Sequence, residues 1–503
     1  MDEQSPAAPA AATQPVRVIF ATLMLVLLLA SLDQTIVSMA LPTIVGEFGG
    51  LAHLSWIVTA YMLATTIVTP LYGKLGDLFG RKIALQGAIV IFLIGSALCG
   101  LSRSMGELIA FRALQGLGGG GLIITTMAVA GDLIPPRDRG RYQGFFGGVH
   151  GFSTVLGPLI GGFFVEHLSW RWIFYINLPL GAFALAVIAW TFKAPIARRR
   201  AVMDIPGALL LAAALTALTL FTSLGGHLYA WGSGLILGLV GVFLTAIAGF
   251  VAVERRVVEP ILPLSLFSNR TFVISCVVAA IVGVAMFGPV TYMPVYLQVV
   301  QGLSPSAAGL QLIPLMGGLL LTSTISGQII SHIGRYRVFP IAGTAIATLG
   351  LALLSTLDPA SGSWAAPTYM LLLGMGLGMV MQVLVLAAQN AVNHRDLGVA
   401  TAGVTLFRAA GGSVGVSLFG AIFAAGLAER LAHLSLSGPH LAGASNAAAI
   451  QALPAAERLV YISAFNGALH PVFIAAAVIA AGGFVLTLFL QELPLRASAR
   501  PNT

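Results

Sequence analysis

Apolar residues run through this chain in long blocks, and the polar positions are confined to short joints between them. The hydrocarbon core of a bilayer, ~30 Å thick, is crossed by about 20 apolar residues of helix. Fourteen blocks reach that length, at approximately 17–45, 53–73, 82–101, 107–130, 141–165, 170–192, 204–224, 231–253, 270–297, 306–330, 337–356, 365–388, 398–427 and 467–490. The joints are too short for separate soluble domains, so the pattern predicts an all-α polytopic membrane protein with 14 transmembrane helices. Residues 1–16, "MDEQSPAAPAAATQPV", are Ala/Pro-rich and read as a disordered tail, and residues 491–503 read as a second tail. The first stretch does not read as a signal peptide, because its small residues precede the apolar block and Asp33 interrupts that block.

Composition sharpens this picture. With 58% hydrophobic and 8% charged residues, the chain carries too much apolar surface to hide from water, so lipid has to be its solvent. A net charge of +8 raises nucleic acid as a partner, but the placement of the charges removes it. With the N-terminus in the cytoplasm, nineteen of the 25 Lys/Arg fall in cytoplasmic segments, among them Arg137, Arg139, Arg141, Arg198 to Arg200, Arg255 and Arg256. Arg103, Arg171, Arg430 and Arg458 fall outside, and Arg112 and Arg408 lie within spans. That positive-inside bias predicts both termini in the cytoplasm. Cys99 and Cys276 sit inside blocks and read as small apolar fillers, with no disulfide framework or metal site implied.

The chain also repeats itself. The joint between spans 2 and 3, "GKLGDLFGRK" (73–82), has a weaker copy in "GQIISHIGRY" (327–336), with Gly73, Gly80 and Arg81 matching Gly327, Gly334 and Arg335. "MALP", ending at Pro42, and "TYMP", ending at Pro294, recur at nearly the same offset. Spans 1–6 (17–192) and 9–14 (270–490) therefore read as duplicated six-helix bundles, related by a pseudo-twofold axis along the membrane normal. Spans 7 and 8 (204–253) form an inserted hairpin. Gly116 and Gly120, Gly144 and Gly148, Gly147 and Gly151, and Gly157 and Gly161 stand four apart, a spacing that lets membrane helices approach closely.

Six segments in order carry a family resemblance: "LDQTIVSMALP" (32–42), "GKLGDLFGRK", "RALQGLGGGG" (112–121), "GPLIGG" (157–162), "YLQVVQGLSPSAAGL" (296–310) and "FRAAGGSVGVSLFG" (407–420). On these, nearly the whole chain resembles the major facilitator superfamily, and more narrowly its fourteen-span drug:proton antiporter branch. The resemblance implies that Gly73, Asp77, Gly80, Arg81 and Lys82 form a cytoplasmic gate. Asp77 would cap the N-terminus of span 13 near residue 398 and join Arg81 and Asp132 in a charge relay. Since Ser331 stands where the second copy would need the acid, the clasp is expected on one side only. The resemblance also makes Gly157, Pro158, Gly161 and Gly162 an antiporter hinge, proline having removed a helix hydrogen bond.

Ionisable groups inside lipid are costly and default to function. Asp33 in span 1, Arg112 in span 4 and His150 in span 5 are the proton-coupling candidates, while His150 also reads as a hydrogen-bonded core residue and Arg408 as structural. Burial favours a protonated carboxyl and a nearby cation favours the ionised one, so in this reading arriving cargo ejects the proton of Asp33. Tyr61, Tyr292 and Tyr296 are the aromatic candidates for a substrate cavity, with interface anchoring as the alternative. A membrane potential of roughly 150 mV yields about 3.5 kcal/mol per inward proton, which suits neutral or singly charged cargo.

The reading is thus a proton-driven exporter of amphipathic small molecules in a bacterial inner membrane. It needs no cofactor, has protons, amphipathic substrates and lipids as partners, and is expected to be a monomer. Gly73-Lys74 lacks phosphate-loop spacing, which excludes an ATP-driven pump, and no catalytic constellation suggests an enzyme. Dedicated export of an endogenous lipid, siderophore or antibiotic is the alternative, and a transport-inactive sensor or scaffold the second. The segment 428–467 reads as a flexible connector more than an amphipathic surface element.

Overall fold

Every apolar block is helical in the computed structural model, which describes residues 16–48, 54–134, 136–192, 204–226, 229–303, 305–393, 396–433 and 454–495. The helices are α1 (Val16–Phe48), α2 (Leu54–Phe79), α3 (Arg81–Leu101), α4 (Met105–Leu133), α5 (Pro136–His167), α6 (Trp172–Tyr175), α7 (Asn177–Thr191), α8 (Ile205–Leu224) and α9 (Gly234–Glu254). They continue as α10 (Arg270–Val299), α11 (Pro305–Gln311), α12 (Ile313–Ile333), α13 (Val338–Leu354), α14 (Ala365–Ala391), α15 (Leu397–His433) and α16 (Ala455–Thr487). Residues 1–15, 434–453 and 496–503 lie outside the description, as do the side chains of His150 and Pro158, so the readings placed on them have no structural counterpart here. Among the described residues, eleven helical stretches are long and apolar enough to cross a membrane. Two shorter apolar stretches, Arg270–Met286 of α10 and Val338–Leu354, accompany them.

Local chemistry sets the helix ends. Ser104 accepts the Glu107 amide at 3.2 Å while Glu107 accepts the Arg103 amide at 2.8 Å, a reciprocal cap that starts α4. Asp204 and Asn269 cap α8 and α10 through their side-chain oxygens. Two predicted spans are broken: 170–192 divides at Ile176 and 306–330 at Leu312. Pro179 and Pro314 follow three and two residues after these points, and each lacks the amide that would bond one turn back. The segment 428–467 differs more. Residues 455–466 continue α16 as regular helix, so this part is neither a loop nor a separate surface element.

Pairing repeats along the chain. α1 packs on α5, α2 and α3 on α4, and α1 and α3 on α7; correspondingly α10 packs on α15, α12 and α13 on α14, and α10 and α13 on α16. Each set has its own apolar core, with Leu85, Phe92 and Phe146 in the first and Phe272, Leu373 and Phe473 in the second. Contacts of α5 with α12 and of α2 with α15 join the two sets. The hairpin α8–α9 sits beside α2 and α15. It is fastened by Thr222 to Ser413 at 2.7 Å and by the Ser417 hydroxyl donating to the Thr222 carbonyl, and the segment that follows α9 is tied to α2 by Glu259 to Lys74 at 2.7 Å.

Candidate functional site: a buried ion pair and a clasp between helix ends

Asp33 and Arg112 meet in the interior of the first set of helices. The Arg112 Nη1 lies 2.7 Å from Asp33 Oδ2, with the two residues 1% and 0% exposed. Asp33 Oδ1 accepts from Gln115 Nε2 at 2.7 Å and from Asn177 Nδ2 at 3.1 Å. Both amides also donate to Ser96 Oγ, at 2.7 and 3.2 Å. Arg112 is held further by the Gln115 carbonyl oxygen at 2.7 Å and the Ile57 backbone carbonyl at 3.3 Å. Its guanidinium lies 4.1 Å from the Tyr61 ring centre, a cation–π contact.

Helix spacing brings these groups together. Arg112 and Gln115 are three apart on α4 and share a face, while α1, α3 and α7 deliver Asp33, Ser96 and Asn177 to it. α4 can approach α2 because Gly116 and Gly120 lack side chains: a Cβ at either would stand 2.5–2.6 Å from the carbonyl of Tyr61 or Thr65. Arg112 is seven residues from the start of α4, about 10 Å along the axis, and Asn177 opens α7. The cluster therefore lies nearer the end opposite Gly80. In water such a pair contributes little; enclosed, it is stable only while both charges and their hydrogen bonds stay together.

The second constellation lies at the Gly80 end. The segment 73–82 is hardly a loop: α2 runs through Phe79, α3 begins at Arg81, and Gly80 alone turns the chain, at φ 97°. Gly334 makes the corresponding turn at φ 75°, and side chains rarely adopt either conformation. Arg81 pairs with Asp77 and donates from Nε to Asp132 Oδ2 at 2.9 Å. The other Asp77 oxygen accepts the Val399 amide at 3.2 Å, in the first turn of α15, where an acid meets the positive end of the helix dipole. Lys82 stands apart, donating to the Ala189 carbonyl at 2.8 Å. Ser331, in the second copy, donates within its own helix, to the Gln328 carbonyl at 2.7 Å, and meets no helix terminus among the described residues.

Several close approaches between the two sets of helices fall toward this end. A Cβ on Gly73 would stand 2.8 Å from Ala402, and one on Gly144 would stand 2.6 Å from the Ser323 carbonyl. Gly147 likewise faces Ser323, and Gly151 faces Leu320. At the opposite end a brace absent from the sequence reading ties α1 to the α5–α6 joint. Glu47 accepts from Trp170 Nε1 at 2.6 Å and from Arg171 at 2.8 and 3.2 Å. These hydrogen bonds, Arg171 first, hold the Glu47 carboxyl below its ordinary range.

The structure does not gather the three tyrosines. Tyr61 forms a wall of the ion-pair cluster and is 1% exposed. Tyr296 is fully buried and donates to the Asp358 carbonyl at 3.1 Å, which ties α10 to the joint after α13. Only Tyr292 is half-buried, its ring 5.1 Å from that of Phe423. Gly157 packs on Thr35 of α1, Gly161 is buried, and Gly162 faces open space, with α5 helical throughout. The sequence reading missed Ser96, Gln115 and Asn177. The signal was present: each is a neutral polar residue in an apolar block, and Gln115 follows Arg112 by one turn.

Comparisons with known proteins agree with this architecture. A family model described as Major Facilitator Superfamily matches residues 23–416. The chain is 43% identical over 484 residues to the uncharacterized MFS-type transporter Rv1877 of Mycobacterium tuberculosis, covering 96% of this chain and 70% of that one. It is 36% identical over 501 residues to the multidrug transporter protein MdtP of Bacillus subtilis, covering 94% and 92%. Among solved structures it resembles the human organic anion transporter MFSD10 with a TM-score of 0.63, at 13% identity, over 94% of this chain and 99% of that one, a likeness of fold. The chain thus belongs to the Major Facilitator Superfamily, whose members are transporters and not enzymes, and need no cofactor as a rule.

Proposed function

We propose that the protein is a proton-coupled antiporter that exports amphipathic small molecules by alternating access. The observation that carries this reading is the enclosed Asp33–Arg112 pair, at 2.7 Å, the one fully buried ion pair among the described residues. A buried pair is poor value as a stabiliser, but an acid that can take up a proton inside a helix bundle suits proton exchange. The printed name of the Bacillus subtilis relative, a multidrug transporter, supports the cargo class.

In this proposal the helices form fourteen spans, α6 with α7 and α11 with α12 counting as one span each. Two pseudo-symmetric bundles, α1–α7 and α10–α16, rock against each other, and both termini are cytoplasmic. The repeated pairing of helices supports the two bundles. The Gly80 end is then the cytoplasmic face, where the Asp77–Arg81–Asp132 clasp on α15 keeps the inner gate shut. Proton uptake at Asp33 loosens its hold on Arg112 and biases the bundles toward opening, and α5 yields around Pro158. A proton-release assay on detergent-purified protein with a panel of amphipathic compounds tests the reading. Compounds that bind should release protons from the wild-type protein and none from Asp33→Asn; equal release from both would refute it.

A further inference from the structure

Arg408 lies eleven residues beyond the start of α15, about 17 Å along the helix, and has no ion pair or hydrogen bond among the described residues. The other deep arginines are compensated, Arg112 by Asp33 and Arg81 by Asp77 and Asp132. No acid of its own half can serve Arg408. Between Glu259 and Glu429 the only acids are Asp358 and Asp396, both in joints between helices. Asp396 is twelve residues away along the chain, about 18 Å at helical rise. A guanidinium cannot shed its charge, so among the described residues Arg408 remains a cation with no counter-ion beside it.

Its position fits a receptor. Thr401, Thr405 and Arg408 recur at helical spacing and form one stripe on α15. Thr401 is fully buried where it meets Gln389 of α14, which in turn faces Gly131 of α4. Two turns further, Arg408 is only partly buried, so the stripe climbs from the closed seam toward accessible space. Thr405 already donates to the Thr401 carbonyl at 2.9 Å, and the next four residues are Ala409, Ala410, Gly411 and Gly412. One cation with no second charge beside it matches a monoanion. A planar guanidinium matches a carboxylate in particular.

We propose that Arg408 is the head-group receptor of the transport path and that it takes the carboxylate of an anionic amphipath. This names the cargo class of the exporter reading above and rests on it. The test uses the purified full chain with a dansyl-tagged undecanoic acid and its methyl ester, matched in apolar surface. The acid is expected to bind wild type about tenfold or more tighter than the ester. Arg408→Gln should abolish that difference and leave ester binding unchanged, and Arg408→Lys, which keeps the charge without the planar fork, should keep only part of it. Equal binding of acid and ester to wild type overturns the proposal, as does equal loss of both in Arg408→Gln. Binding is read without any gradient. An acid preference that depends on Arg408, with no proton-driven efflux from liposomes, would uphold the receptor while the antiporter reading fell.

Discussion

Replacing Asp33 by asparagine removes one charge while keeping the shape of the cluster. Asparagine can still accept the Gln115 and Asn177 amides, which reach Asp33 Oδ1 at 2.7 and 3.1 Å. What it cannot do is neutralise Arg112, which is 1% exposed. Stranding one partner of a buried pair costs about 3–5 kcal/mol. Here the Gln115 oxygen at 2.7 Å and the Tyr61 ring at 4.1 Å remain to steady the guanidinium, so we expect about 2–4 kcal/mol. Arg112→Leu should cost less, because a stranded carboxyl can accept a proton whereas a stranded guanidinium cannot lose one. The double substitution should therefore be far less damaging than the sum of the two. Unfolding in mixed micelles titrated with denaturing detergent, followed by tryptophan fluorescence, gives the three free energies of the cycle. A coupling below about 0.5 kcal/mol would refute the view that the two charges depend on each other.

Three further outcomes follow from the geometry. Gly144→Val would drive a Cβ to 2.6 Å from the Ser323 carbonyl, so the closed seam should lose about 1–3 kcal/mol and a cysteine placed at Ala402 should become reactive to impermeant thiol reagents. Asp77→Asn leaves the α15 terminus without its acid, a loss of about 0.3–1 kcal/mol, and should raise the reactivity of that same cysteine several-fold without lowering the amount of folded protein. Glu47 has its carboxyl lowered in the folded state, so its contribution is present above the unfolded value near 4.5 and fades as pH falls through the folded one. With 42% of that side chain exposed the effect stays under about 1 kcal/mol, and it should vanish from the acid limb of the melting profile in Glu47→Gln.

Much of the fold was legible because lipid imposes a simple rule, that long apolar blocks become helices with their backbone bonds satisfied internally. The turn glycines Gly80 and Gly334 could be read from their spacing, and Asp77 does reach residue 399 of α15. Proline breaks at α6–α7 and α11–α12 were not foreseen, since apolarity carries no information on a missing amide. Asp33 and Arg112 stood out because a charge in lipid is conspicuous. Their partners Ser96, Gln115 and Asn177 are uncharged, and only three-dimensional packing reveals that their donors converge on one carboxylate. The tyrosines could not be told apart by type alone: the same residue serves as ring for a cation at Tyr61 and as hydrogen-bond donor to a joint at Tyr296.

The central claim is that a single carboxyl in the first helix trades its proton for cargo as two helical bundles rock. Its most direct test is efflux of an amphipathic fluorophore from liposomes holding the purified protein, with internal pH recorded at the same time. An imposed proton gradient should drive dye efflux and matching proton counterflow in wild type, and Asp33→Asn should lose both while still binding the dye. Gradient-driven efflux that persists unchanged in Asp33→Asn would contradict the account.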